Sequence, residues 1–223
     1  EDNPAGAASP PQTVDPGTGQ PAEDAGNTPS GIDPTSAVPK NWSASISAGT
    51  QHITQAIETI SVSVPVGKVA PDRKGVINVS PEGVGGVDIY SPEARFTINE
   101  RIPQMTFGRF KKLVFLACKI NFADWGPFFA REVLYLGSEF PEGDAGNARR
   151  VTHNFAYSET RKNIVIGDIT VPIKRGWDYL WVEYTPQEDA ASKTSAMVPL
   201  AAHVVRVYNE IDFENELGVS PIE

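Results

Sequence analysis

The first forty residues constrain this chain most, because their composition cannot support a core. Residues 1–40 contain 8 Pro and 5 Gly but no aromatic residue. Their large apolar side chains are Val14, Ile32 and Val38, too few to offset the entropy of ordering forty residues. A segment of this kind becomes ordered only against another surface. We therefore predict an extended N-terminal arm, residues 1–41, that lies along partner subunits, with these three side chains as candidate interface residues.

The composition changes at Trp42, the first aromatic residue of the chain. Residues 42–223 have the length of one ordinary domain and can bury a substantial core. We therefore predict a single domain from residue 42 to residue 223. Trp42 is the candidate anchor where the arm meets this domain.

The charge of the chain argues against a nucleic-acid partner. The formal net charge is -9, and residues 1–40 contribute -5 of it, from six acidic residues against Lys40. A basic tail that could neutralise phosphates is therefore missing from the sequence, and general attraction to nucleic acid or to an anionic membrane is not expected. The sequence also contains no apolar run of about twenty residues, so it predicts no membrane span.

Short apolar runs separated by Pro and Gly dominate residues 42–223. Residues 59–67 (TISVSVPVG) and 151–159 (VTHNFAYSE) alternate apolar and polar side chains, as half-buried strands do. The second of these runs is a plausible partner for the run at 132–137 (EVLYLG). The pattern predicts a mainly β domain of roughly eight to ten strands. The expected fold is an antiparallel sandwich or barrel, jelly-roll-like, with one or two short helices.

Two segments have ambiguous patterns. Residues 44–58 fit either a short helix or a strand. Residues 105–119 place Phe107, Phe110, Val114 and Cys118 at helical spacing, which favours an amphipathic helix over a long central strand. Cys118, the one cysteine of the chain, lies in an apolar stretch and is predicted to be buried and unreactive.

An aromatic run near residue 180 is the strongest feature of the predicted domain. On a strand, Trp177, Tyr179 and Trp181 would share one face, while Leu180 and Val182 would take the other. Apolar residues on both faces favour a strand that contributes to the core and to a subunit interface. The alternative is a carbohydrate-binding platform built from these aromatic rings.

The sequence predicts no catalytic, cofactor or metal site. The three histidines, His52, His153 and His203, lie far apart and none has a His or Cys at metal-ligand spacing. No nucleophile motif such as G-x-S-x-G is present. Asp178 and Glu183 lie beside aromatic residues, as in a glycosidase, but are expected to alternate outward from their strand.

Three segments carry a resemblance to known proteins: AREVLYLGSEF, IGDITVPIKRGWDYLWVEY and AAHVVRVYNEIDF. Together they resemble proteins of phage-type gene clusters, over about residues 84–217. A proline-rich arm leading into one mainly β domain is also similar to the design of many virus capsid subunits, including jelly rolls. The chain differs from RNA-binding coat proteins because its arm lacks an Arg/Lys-rich stretch. The resemblance therefore implies a shell, tail or decoration protein rather than one that packages a genome.

These observations favour a non-enzymatic structural subunit of a virus or phage particle. Its expected partners are copies of itself and other particle proteins, and its expected location is the virion. The alternative is a secreted, extracellular binding module with carbohydrate as its ligand class. A third hypothesis, a hydrolase on a β scaffold, would depend on Asp178 or Glu183.

Overall fold

The computed structural model describes residues 41–56, 66, 73–80, 82–140, 149–188 and 195–220. This part of the chain is mainly β, with one α-helix, α1 (Phe107–Leu116), and one π-helical turn (Phe213–Leu217). The described strands are, in chain order, β1 Trp42–Ile53, β2 Val79–Ser80, β3 Gly83–Val84, β4 Val87–Ile102, β5 Lys119–Asn121, β6 Val133–Glu139, β7 Arg149–Tyr157, β8 Arg161–Ile166, β9 Ile169–Lys174, β10 Tyr179–Glu188, β11 Ser195–Val205 and β12 Glu210–Ile211.

The largest sheet has six strands in the order β1-β4-β7-β6-β5-β12. Its pairs are antiparallel except for β12, which runs parallel to β5. The long strand β4 pairs with β1 over one half and with β7 over the other, overlapping at residues 94–98. The far ends of β1 and β4 therefore extend beyond the rest of this sheet as a two-stranded extension.

One face of the six-stranded sheet carries an aromatic core. Along β7, Val151, His153 and Phe155 alternate inward and are fully buried. The Phe155 ring lies 5.0 Å from Phe96 on β4 and 5.3 Å from Trp125, measured between ring centroids. Because these rings come from different strands and from the loop after β5, their contacts hold the sheet and its cover together.

The aromatic face is covered by α1, the loop at 122–131 and the π-helical turn. Leu113 and Leu116 of α1 pack into the core, and so do Phe213 and Leu217 of the turn. Thr106 caps α1, since its hydroxyl oxygen accepts a hydrogen bond from the backbone N–H of Arg109 at 3.2 Å.

The remaining described strands form three antiparallel hairpins: β2–β3, β8–β9 and β10–β11. Gly167 and Asp168 make the turn of β8–β9, where Gly167 adopts a positive φ of 58° that a tight hairpin requires. Buried Ile166, Val171 and Val198 come from the β8–β9 and β10–β11 hairpins. The described part is sandwich-like and does not close into a barrel.

The fold class, the helix within 105–119 and the pairing of β6 with β7 are therefore confirmed. The ambiguous segment at 44–58 is strand as far as Ile53, and the strand predicted at 59–67 lies outside the described residues, apart from Val66. The described part has more strands than expected, because three of the twelve contain two residues each.

The predicted burial of Cys118 is wrong. Cys118 is exposed. It lies just after α1 with a positive φ of 60°, and its N–H donates to the carbonyl of Tyr135 at 2.8 Å. The left-handed backbone turns its side chain out of the helical pattern that the apolar sequence suggested.

We predict that Phe155→Ala lowers the free energy of unfolding by about 3–5 kcal/mol, because it removes the ring at the centre of the aromatic core. Phe122→Ala is the matched control, since Phe122 is 63% exposed. It should change stability by no more than about 0.5 kcal/mol. Urea unfolding of both variants measures the difference, and equal losses would contradict this account of the core.

Candidate interaction surfaces

Helix α1 exposes a large apolar surface, here called the α1 face. It consists of Phe107, Phe110, Val114 and Phe115, with Lys111 among them. Phe107 is 85% exposed and Phe115 is 76% exposed. These residues recur three, four, seven and eight positions apart, so they lie on adjoining sides of one helix. The stripe that sequence periodicity singled out is therefore the outward face of α1.

The inward side of α1 explains this orientation. Arg109, Leu113 and Leu116 follow one another at helical spacing, and both leucines are buried in the core. The Arg109 guanidinium donates to the Glu100 carboxylate on β4 at 2.7 Å. One ion pair and two leucines thus fix which side of α1 meets the sheet.

Glu100 belongs to a row of hydrogen-bonded polar side chains beneath α1, in which His153 and Tyr135 are fully buried and Glu100 and Ser138 are half-buried. Its carboxylate lies 3.1 Å from Nε2 of His153, and Nδ1 of His153 lies 2.7 Å from the Ser138 hydroxyl. The Ser138 hydroxyl also hydrogen-bonds the Tyr135 hydroxyl. Since a carboxylate only accepts, one proton arrangement satisfies the chain: Tyr135 donates to Ser138, Ser138 to His153, and His153 to Glu100.

Burial shifts the pKa values of the two titratable side chains at the centre of this hydrogen-bonded row, His153 and Tyr135. Desolvation lowers the pKa of His153 below its ordinary value, although the Glu100 carboxylate acts in the opposite direction. Burial also raises the pKa of the Tyr135 hydroxyl. The imidazole and the phenol are therefore both neutral at pH 7, which suits the donor and acceptor roles given above.

The order Ser138, His153, Glu100 is that of a nucleophile, a base and an orienting carboxylate. The surroundings favour a structural role instead. His153 is fully buried, and the Ser138 hydroxyl is already hydrogen-bonded by the Tyr135 hydroxyl. Glu100 is already engaged by Arg109 of α1. The chemistry that this arrangement performs is to hold α1 on the sheet through charge-assisted hydrogen bonds.

A second exposed surface, here called the ribbon face, lies on the β10–β11 hairpin. Tyr179 and Trp181 are 57% and 50% exposed, and their alternation places them on the same side of β10. The partners across the hairpin are Val205 and His203, with the His203 and Trp181 rings 5.5 Å apart. Glu183 continues this side, 3.6 Å from His203.

The base of this hairpin is anchored by a polar cluster around Arg131. The guanidinium lies 3.1 Å from the Asp178 carboxylate and 2.5 Å from that of Glu210. Gly176 permits close backbone approach here, since a Cβ atom at this position would lie 2.1 Å from the Arg131 carbonyl oxygen. The adjacent indole N–H of Trp177 donates to the carbonyl of Glu132 at 3.0 Å. These contacts join the start of β10 to the segment before β6.

Three predictions about residues 177–181 are corrected by these positions. Trp177 lies in the turn before β10 rather than on the strand, so it does not share a face with Tyr179 and Trp181. Those two residues are exposed rather than part of the core, because β10 pairs only with β11 in the described part of the chain. Asp178 points inward to Arg131, contrary to the outward position expected.

Trp42 lies at the first position of β1 and packs against the core. Its ring stacks on Phe96 with 4.5 Å between centroids and on Phe128 with 6.0 Å. Its role as anchor of the arm stays a prediction, because the arm lies outside the described residues. The candidate interface residues of that arm, namely Val14, Ile32 and Val38, lie outside the described residues as well.

Two features of these surfaces cannot be read from the local sequence pattern. The inward alternation of His153 between Val151 and Phe155 was visible, but its partner Glu100 lies fifty-three residues away on another strand. The sequence does not show which side of α1 is exposed, because the helix carries one apolar stripe that faces the core and a second that faces outward. The Arg109–Glu100 ion pair determines which of the two stripes faces the sheet. It joins residues on different elements and leaves no pattern in the local sequence.

Within the described ranges, no group of three or more His, Cys, Asp or Glu side chains could hold a metal ion. No helix in the same ranges is long and apolar enough to span a bilayer. Comparison with protein-family models, with curated proteins and with solved structures finds no match to this chain.

The lowered pKa of His153 predicts an acid-sensitive fold. As the pH falls through about 6.5, the unfolded chain binds a proton that the buried imidazole resists, so stability decreases. For one proton, this loss is at most about 1.4 kcal/mol per pH unit. We expect His153→Gln to flatten the dependence between pH 7 and pH 5, measured by urea unfolding at each pH.

His203→Gln is the matched control, because it removes an imidazole that is about half exposed. We expect this control to keep the pH dependence of the unsubstituted protein. Parallel curves for His153→Gln and the unsubstituted protein would contradict the assignment to His153.

Proposed function

We propose that this protein is a non-enzymatic structural subunit of a virus or phage particle, as a capsid, decoration or tail component. It associates with copies of itself and with other particle proteins, and its N-terminal arm, residues 1–41, makes inter-subunit contacts. The folded domain supplies a rigid body for this role.

The observation that carries this proposal is the apolar surface left on two elements. Phe107, Phe115, Tyr179 and Trp181 are each at least half exposed. Monomeric proteins seldom present contiguous apolar patches of large size, and aromatic residues are enriched where subunits meet. Surfaces of this kind favour a chain that functions in contact with other chains.

The arm suits assembly better than pairwise binding. Ordering a proline- and glycine-rich segment opposes association, so each arm contact contributes modest affinity. In a particle, many identical contacts form together, and effective concentration compensates for weak individual affinity. An arm with few large apolar side chains is therefore adequate in an assembly.

We predict that deletion of residues 1–40 reduces self-association while the domain stays folded. Size-exclusion chromatography with light scattering should give larger species for the full chain than for the deletion variant at the same concentration. Urea unfolding should give similar stability for both, because the deletion removes no residue of the described core. A full chain that is monomeric at every concentration would overturn the proposal.

The ribbon face favours one second candidate function, an extracellular binding module for carbohydrate. Tyr179 and Trp181 present two exposed aromatic rings on one side of a strand, and sugars stack on such rings. His203 and Glu183 beside them offer hydrogen-bonding groups. Under this function the arm is a linker, and the ligand meets the hairpin rather than another subunit.

A glycan array separates the two functions. The structural role predicts no glycan binding, and Trp181→Ala should then reduce self-association. The binding-module role predicts array signals that Trp181→Ala abolishes and that Tyr90→Ala retains. Tyr90 is a suitable control because it is an exposed aromatic residue on β4, outside the ribbon face.

A further inference from the structure

We propose that the α1 face is the docking site for the N-terminal arm of a neighbouring copy. The inference rests on the proposed function and deepens it, since it names the surface that receives the arm. Three properties of the chain carry it: the exposed aromatic rings of α1, the opposite charges of helix and arm, and the proline content of the arm.

The α1 face has the chemistry of a peptide-binding surface. Phe107 and Phe115 are almost fully outside the core, although neighbouring positions on α1 supply buried leucines. Because Arg109 and its polar chain hold the helix in place, α1 cannot rotate to bury these rings without breaking that ion pair. The rings are therefore fixed outward, where a partner can cover them.

Charge is the second property. Residues 101–119 contain no acidic residue and five basic ones, namely Arg101, Arg109, Lys111, Lys112 and Lys119. Lys111 and Lys112 are exposed on α1 itself. This basic segment is unusual in a chain of net charge -9, and residues 1–40 carry -5. Opposite charge steers the arm toward α1 and selects this surface.

The prolines of the arm are the third property. Eight prolines in forty residues restrict the backbone before binding, which reduces the entropy lost on docking. Proline-rich segments are commonly recognised by aromatic-lined surfaces. An extended chain of forty residues spans on the order of 130 Å, so the arm can reach a neighbouring subunit.

The ribbon face is the weaker acceptor for this arm. Strand β10, residues 179–188, contains the acidic side chains of Glu183 and Glu188 and no basic residue. An acidic arm would meet repulsion there, whereas the α1 face offers lysines. The charge distribution therefore selects α1 between the two exposed aromatic surfaces.

The native cysteine makes the contact directly testable. Cys118 is exposed, follows α1 by two residues and is the one cysteine of the chain. A benzophenone attached to Cys118 in the full chain should, on irradiation, form cross-links to residues 1–40. Mixing ¹⁴N- and ¹⁵N-labelled protein before irradiation and mapping the products by mass spectrometry shows whether the linked arm comes from another copy.

Charge reversal provides the second measurement. We expect Lys111→Glu with Lys112→Glu to reduce self-association at least tenfold, and Arg161→Glu with Lys162→Glu, an exposed basic pair on β8, to leave it unchanged. Replacing Asp15, Glu23, Asp24 and Asp33 by Lys in the arm should restore association with the reversed helix. Sedimentation velocity measures each pair, and far-ultraviolet circular dichroism confirms that each variant is folded.

The outcomes separate this inference from the proposed function. Arm-dependent oligomers without arm cross-links at Cys118 would overturn the α1 site and leave the structural role standing. Cross-links within one copy, or between two α1 helices, would also overturn it. The same holds if the unsubstituted chain binds phosphatidylcholine–phosphatidylglycerol vesicles and Phe107→Ser abolishes that binding, because the face then serves a lipid surface. Intermolecular arm cross-links together with the charge-swap rescue would establish it.

Discussion

The contacts around the Phe155 ring are the interaction on which the rest of this structure depends. Phe96 from β4, Tyr135 from β6, Trp125 from the loop after β5 and Phe213 from the π-helical turn all meet this ring. They come from most of the length of the described chain. Once they pack, one face of the six-stranded sheet is core, and α1 has a defined surface on which to lie.

A polar chain then sets the rotation of α1 on that surface. Burial of Leu113 and Leu116 alone would tolerate a small rotation, but the Arg109–Glu100 ion pair must keep its geometry next to the buried imidazole of His153. Breaking such a chain leaves desolvated groups without partners, which opposes any rearrangement. The exposed phenylalanines are thus a consequence of well-satisfied polar groups below them, not of a poorly packed helix.

The sequence predicted those features that depend on local pattern. The alternation of Val151, His153 and Phe155 predicted a strand, and the helical spacing of the apolar residues at 105–119 predicted a helix. The sequence did not predict the features that depend on contacts between residues far apart along the chain. Trp177 was assigned to a strand because nothing local reveals that its indole donates to Glu132 and holds a turn. The outward side of α1 was likewise undetermined, since Arg109 finds its partner on β4, and the arm residues lie beyond the described part.

The proposed docking of an arm on α1 would have a geometric consequence for assembly. The two contacting pieces would be different parts of the chain, so each copy would offer one donor and one acceptor in a heterologous contact. Such contacts propagate around a ring or through an extended array, rather than stopping at a symmetric dimer. Under this proposal the ribbon face, with its acidic side chains, would stay available for a different neighbour. Two chemically distinct surfaces and one arm would then give each subunit several directional contacts, as the proposed role in a shell or tail requires.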